Sequence, residues 1–453
     1  MTLARLVCIV GVVAAAIAAP AQAQTAAAEA PIPPPAATAT PEGLVWRSRG
    51  GELTLLPGGR LQVDGAFFPK QNPKSGLFIR RARVELRGWI GDDFYFDVGG
   101  DFAPGPAAGA QVAPSLWPAA DNFLAYAPLG DAVIVQAGQF DVPFTLENRT
   151  SDAETDFIER AMTARSLGAP RNKDVGAMVH GLLADGRFYY SAGLFDGEGP
   201  GFRNLDNQAD AIGRVVWSPF ASGDVPWHRV SIGASAWHGN HVLGPQAPVQ
   251  ATPGGVAFFQ PAWTLGAGSP GVALHEQGSI AAFGGELNLP LQPRFGLRGE
   301  LVWKKQHLVE GTEAATGFLP IGGATLDGIS GYGEVWFWVL GDQGLLAAPG
   351  FELPVRPARG TRPLLEDGLM LAIRGEVLKE DLNSDTPTLG DPAIATTRVV
   401  SGTAGVNYWR GRFIRLSANY VIHQWSGTSE TAQTLVAAGR WEQELLLRFA
   451  LAL

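Results

Sequence analysis

The chain has 453 residues, 46% of them hydrophobic, and a formal net charge of −9. That acidic balance excludes a nucleic-acid binder held by phosphate contacts. The one cysteine, Cys8, lies near the start, which excludes a disulfide framework or cysteine metal centre from the remainder.

The first element in chain order is an export signal. Arg5 supplies a positive start, Leu6 to Ala18 an apolar run, and Ala21-Gln22-Ala23 a small-x-small cleavage pattern, so residues 1–23 are expected to be removed. The run is too short for a permanent spanning helix, and from Gln24 onward no apolar stretch is long enough for one. Loss of Arg5 and Cys8 with the signal takes the formal charge to −10 and leaves no thiol. Residues 24–50 are rich in Ala, Pro and Thr, a composition that predicts a flexible linker. From Gly51 to Leu453 the texture is uniform, which predicts one domain.

Within that domain short stretches alternate polar and apolar with period two, punctuated by Gly, Pro, Asp and Asn. Strands are predicted near 60–68, 77–90, 93–102, 121–128, 131–140, 173–183, 187–196 and 209–218. A second set follows near 228–238, 280–290, 293–304, 329–340, 367–379, 396–409, 413–424 and 440–451. Connections alternate between tight turns, such as Gly91-Asp92 and Arg410-Gly411-Arg412, and long loops at 103–120, 141–172, 197–208, 239–279, 305–328, 380–395 and 425–439. The proline-rich stretch 341–366 is long where a short turn is due. About sixteen antiparallel strands with short turns at one end and long loops at the other describe an all-β transmembrane barrel.

The faces agree. Arg81, Arg83, Glu85 and Arg87 alternate with Ala82, Val84 and Leu86; Arg298, Glu300 and Lys304 with Leu297, Leu301 and Trp303; Arg374 and Glu376 with Ile373 and Val377; Arg415 with Ile414 and Leu416. A spanning barrel needs an apolar lipid face and a polar lumen. A soluble sheet with one wet face would alternate in the same way. The number of strands and the placing of Trp89, Trp217, Trp303, Trp409, Trp425 and Trp441 near strand ends, as in an interfacial girdle, favour the barrel. Arg80 fits neither face.

Several stretches carry a family resemblance: Gly59-Arg60-Leu61-Gln62-Val63-Asp64-Gly65, Ile79-Arg80-Arg81-Ala82-Arg83-Val84-Glu85-Leu86-Arg87-Gly88, Gly138-Gln139-Phe140-Asp141-Val142-Pro143-Phe144-Thr145-Leu146-Glu147, Phe157-Ile158-Glu159-Arg160-Ala161 and Arg415-Leu416-Ser417-Ala418-Asn419-Tyr420. From Gly59 to the C-terminus the chain resembles the phosphate-selective porins of the O and P type. The resemblance implies a sixteen-stranded, homotrimeric barrel in the bacterial outer membrane, embedded in its lipid, with no cofactor and no reaction. It implies selection of small anions by basic side chains along the lumen. Its third long loop, matched by residues 141–172, would fold inward and constrict the pore.

Arg81, Arg83, Arg87, Arg298, Arg374 and Arg415, with Lys304, are therefore the candidate anion-selective lining, since guanidinium groups stay charged and offer forked donors to anions. The competing role for each is an ion pair with a lumenal carboxylate that braces the wall. Glu147, Arg149, Asp156, Glu159, Arg160 and Arg165 are the candidate constriction residues. With six lysines against 28 arginines, a general anion channel is expected rather than a phosphate-specific one. His238 and His241 stand close together but lack partners of metal spacing, so no metal site is expected. Ser417 and His423 share a strand face too far apart to bond, which leaves an outer-membrane hydrolase a remote alternative. A structural or adhesive barrel with a plugged lumen is the other.

Overall fold

The computed structural model describes residues 36–40 and 43–452, apart from 70–74, 104–119, 170–171, 202–203, 222–226, 243, 245, 265–270, 315–316, 352, 354–365 and 385–393. The signal expected at 1–23 lies outside the described residues. Sixteen strands form one antiparallel barrel. They are β1 (Leu53–Phe67), β2 (Gly76–Ile90), β3 (Phe94–Asp101), β4 (Asn122–Tyr126), β5 (Ile134–Asp141), β6 (Lys173–Leu183), β7 (Phe188–Phe195) and β8 (Asp210–Trp217). The rest are β9 (Ser231–His241), β10 (Gly271–Gln292), β11 (Phe295–Ala314), β12 (Gly317–Leu340), β13 (Asp367–Ser384), β14 (Ile394–Arg410), β15 (Ile414–Gly427) and β16 (Trp441–Ala452). Each pairs with its chain neighbours, and β16 closes on β1 with Arg448 opposite Asp64. Closure leaves no open edge, so the backbone groups at membrane depth are paired within the sheet.

Burial is inverted relative to a soluble protein. Val84 and Ile373 are 63% and 67% exposed on the outer face, and large apolar residues alternate around it. Arg374 and Glu376, by contrast, are 1% and 5% exposed in the lumen. The sequence periodicity thus identified two faces correctly, and the side that faces lipid is the apolar one.

Four expectations are corrected. Of the tryptophans expected in an interfacial girdle, Trp89, Trp409 and Trp425 are buried inside the barrel at 4%, 1% and 2% exposed, because they stand in phase with the inward-facing Arg87, Asn407 and His423. The linker expected over 24–50 contains an antiparallel pair, Ala36–Thr40 with Gly43–Arg47, and Trp46 and Arg47 pair onward with Leu55 and Thr54 of β1. The cause is the stagger of the closing seam: β16 covers β1 only from Arg60 to Phe67 and leaves the start of that strand open to another partner. The loop expected at 305–328 is largely sheet, because β11 and β12 stay paired from Phe295 opposite Phe337 to Ala314 opposite Gly317, with one register slip between Glu310 and Gly311. Its glycines at 311, 322 and 323 and its weak alternation hid that extension from a periodicity reading. Arg80 sits at a β-bulge between β1 and β2, where the register slips between Gln62 and Val63, so that Arg80 and Arg81 both turn inward.

Candidate functional site

The lumen is filled by three segments that enter from opposite ends. Residues 142–169, between β5 and β6, run across the interior and include a short helix, α1 (Met162–Ser166). Residues 247–259, between β9 and β10, enter from the same long-loop end and carry a small hairpin, Gln250–Ala251 with Ala257–Phe259. The stretch 343–351 enters from the short-turn end. Phe140, Phe144, Ile158, Met162 and Leu167 pack with Val256, Phe258 and Phe259 and with wall residues such as Trp237 and Trp425 in one apolar cluster inside the barrel.

The crossing loop is held at both ends of its path by paired ions and by backbone bonds. Leu146 and Glu147 donate their N–H groups to the Glu300 carboxylate, at 3.1 and 2.8 Å. The Met162 N–H donates to Glu376 Oε2 at 2.6 Å, and the Ile158 N–H to Asn419 Oδ1 at 2.7 Å. Asn407 Nδ2 donates to the Asp156 carbonyl, and Thr163 shares a hydroxyl bond with Ser330. Wall strands β11 to β15 therefore grip the loop through its own backbone, which satisfies donors that would otherwise be costly to bury.

The candidate lining arginines divide into two groups. Arg81 Nε lies 3.0 Å from Asp152, and Arg83 lies 3.0 Å from Asp101 and 3.4 Å from Asp152. Arg298 Nη1 meets Asp156 at 2.7 Å and Glu334 at 3.0 Å; Arg374 meets Glu376 at 3.0 Å and Glu147 at 3.3 Å. These arginines take much of their counter-charge from the loop, and the carboxylates so used are Glu147, Asp152 and Asp156. The second group carries no ion pair among the described residues. Arg415 donates to Asn407 Oδ1 and the Ala153 carbonyl and lies over the Trp409 ring. Arg87 Nε has no hydrogen-bond partner, and the Lys304 ammonium lies 4.9 Å from the centre of the Trp237 ring.

The remaining candidates also lie in the interior. Glu159 receives Arg80 at 2.8 Å and Arg448 at 3.3 Å. Arg160 pairs with Asp152 and donates to the carbonyls of Glu147 and Thr150, and Arg149 donates to the Asp141 carbonyl. Arg165 donates to the Arg160 carbonyl and to Ala251, which joins the two loops. A small cavity beside that junction is lined by Arg165, Gln250, Glu276, Lys304 and Gln306 with Leu167 and Leu326. Burial alone would raise the Asp152 carboxyl, but Arg160, Arg81 and Arg83 outweigh it and hold it well below the ordinary carboxylate range. Glu159 behaves likewise under Arg80 and Arg448, whereas Glu147 is raised, because its burial outweighs the nearby Arg374.

Two arrangements were not anticipated from the sequence. Arg214 makes a bidentate pair with Glu286 at 2.8 and 2.5 Å and donates to the Gly350 carbonyl, which anchors the segment from the short-turn end. Alternation in 209–218 already places Arg214 inward, and its register partner supplies no warning of Gly350. Ser401 Oγ lies 2.5 Å from His423 Nδ1, whose ring is 3.4 Å from Glu444 through Nε2. This trio, spread over β14, β15 and β16, replaces the Ser417 and His423 pairing considered above. Glu444 also accepts from Thr252 and from the Gly254 N–H at 2.9 Å, so the trio serves as the mooring of the second inner loop.

OmpT of Vibrio cholerae in its trimer form superposes with a TM-score of 0.50 at 10% identity, covering 88% of this chain and 99% of that one. An anion-selective porin from Comamonas acidovorans is similar at 12% identity with a TM-score of 0.44, covering 89% and 100%. The outer membrane channel DcaP of Acinetobacter baumannii is similar at 10% identity and 0.43, covering 88% and 97%. None of the curated proteins compared matches the chain. At these identities the likeness to OmpT speaks for the barrel fold alone. Sequence family comparison is more specific: residues 58–242, from β1 to the end of β9, match the family described as phosphate-selective porin O and P. Over that span, which reaches nine of the sixteen barrel strands and includes the crossing loop, the chain is similar to the phosphate-selective porin O and P family.

Proposed function

We propose that the chain is a passive outer-membrane diffusion channel for small hydrophilic anions, not an enzyme. The observation that carries this reading is the crossing loop, which narrows a closed sixteen-strand lumen while Arg87, Arg415 and Lys304 make no direct ion pair among the described residues. Because Arg81, Arg83, Arg298 and Arg374 spend their charge on bracing the loop and wall, the selectivity falls to the unpaired group. Weak, separated cationic positions let an anion enter and leave without being trapped. The chain is further inferred to work as a homotrimer in outer-membrane lipid. In support, the outward faces of β6 to β9 carry small residues, such as Ala177, Ala192, Ala211, Gly213 and Ala234, which suit close contact between copies.

Planar-bilayer recording of the folded chain in a salt gradient tests the channel. The reversal potential is expected on the anion side and is expected to move toward zero in Arg87→Gln with Arg415→Gln. Cation preference in the unmodified chain would sink the anion reading. A second reading, a structural barrel with a closed lumen, is favoured by the apolar cluster that the inner loops share. Absence of any conductance step would establish it.

A further inference from the structure

We propose that Glu198, Asp206 and His241 form a divalent-cation site at the long-loop end of the barrel, of the class that takes zinc or manganese. The loop between β7 and β8 folds back onto the end of β9, and one donor atom from each of the three residues lies within 4.8 Å of the others. Donors about 2 Å from an ion stand roughly 3 to 3.5 Å apart, so a side-chain adjustment of about 1 Å closes them on one ion.

Two buried atoms point to a missing ligand. Glu198 is 2% exposed; its Oε1 accepts from the Leu205 N–H at 3.0 Å, and its Oε2 has no hydrogen-bond partner. His241 is 4% exposed and its Nδ1 has no hydrogen-bond partner either. A buried polar atom left in this condition is costly. The other ring nitrogen, Nε2, lies 3.3 Å from Asp210 Oδ1, and Asp210 Oδ2 accepts from Trp237 Nε1 at 2.8 Å. A carboxylate behind one nitrogen, leaving the other to ligate, is the way metal-binding imidazoles are oriented. Asp206 is positioned independently, by Gln208 N–H at 2.7 Å and Val242 N–H at 2.6 Å, with its side chain 1% exposed.

Charge and packing agree with that arrangement. Neither Glu198 nor Asp210 is ion-paired with lysine or arginine among the described residues, so the pocket gathers carboxylates around a single imidazole. Gly197 has φ 93°, and a Cβ there would stand 2.3 Å from His241 Cε1, so the loop closes on the ring only as glycine. One imidazole nitrogen with two carboxylates favours a transition-series divalent ion over one that takes oxygen alone. Bound there, the ion ties the β7–β8 loop to the rim of the pore.

The full exported chain, folded in detergent and stripped with chelator, is titrated calorimetrically with zinc chloride and manganese chloride. One ion per chain is expected for at least one of the two metals. His241→Ala and Glu198→Gln are each expected to weaken binding by about tenfold or more. His238→Ala, on the outward face three residues away, is expected to bind as the unmodified chain does. Folding is checked by heat-dependent migration on gels, and if His241→Ala does not fold, the isosteric Glu198→Gln decides. No stoichiometric binding of either metal, or unchanged binding by a folded Glu198→Gln, overturns the site.

Discussion

Arg374 shows what an arginine does when the lumen is full. It is 1% exposed, pairs with Glu376 on its own strand and Glu147 on the loop, donates to the Glu159 carbonyl and lies 4.4 Å from the centre of the Phe157 ring. Replacing it by methionine leaves two buried carboxylates without their cation, a loss on the order of 3 kcal/mol. Arg374→Met is therefore expected to lower the urea midpoint of the barrel while Arg87→Gln leaves it nearly unchanged; equal midpoints for the two would refute the bracing role. Asp152 and Glu159 set the pH response. Their folded-state carboxyls are held below the ordinary range, so the stability they contribute is complete above the unfolded value, about 4, and is lost only as pH falls below it. The bracing by these two carboxylates is expected to fail only below about pH 3.5, where conductance becomes noisy or larger. Conductance unchanged down to about pH 2.5 would contradict this assignment.

At the scale of elements, the crossing loop depends on glycine in the wall facing it. A Cβ on Gly405 of β14 would stand 2.6 Å from Asn419 Nδ2 and 3.1 Å from the Phe157 ring, and Asn419 is the residue that receives the Ile158 N–H. Gly405→Val should therefore lift this part of the loop from β14 and β15, raise conductance and open residues 150–160 to protease, with the barrel still intact on gels. Protection equal to that of the unmodified chain would show that the loop is held elsewhere. Strand positions were legible in the sequence because alternation survives wherever one face meets lipid. The extensions of β10, β11 and β12 were not, because glycines such as Gly311, Gly322 and Gly323 interrupt the alternation there. Arg80 illustrates the same limit, since one extra residue in a bulge reverses a face without altering composition.

For the whole molecule, the closed sheet settles architecture and its contents settle permeation. The trimer reading predicts a protein mass of three chains by light scattering in mild detergent; a single-chain mass across the working concentration range would exclude it. That period-two strands, turn and loop alternation and a polar inner face were readable in the sequence follows from their being local: each is a property of neighbouring residues or of one face of one strand. Which carboxylate neutralises which arginine was not. Asp152 and Arg81 are distant in sequence, as are Asp156 and Arg298, and the inward path of residues 142–169 alone brings them together. The same holds for Glu198 and His241, which stand on separate elements and meet because a loop folds back on a strand end. The sequence by itself determined the barrel and the polarity of its two faces, since solvent and lipid act on each residue separately. Only the tertiary structure decided how the arginines spend their charge, because an ion pair is defined by a distance that covalent order does not set.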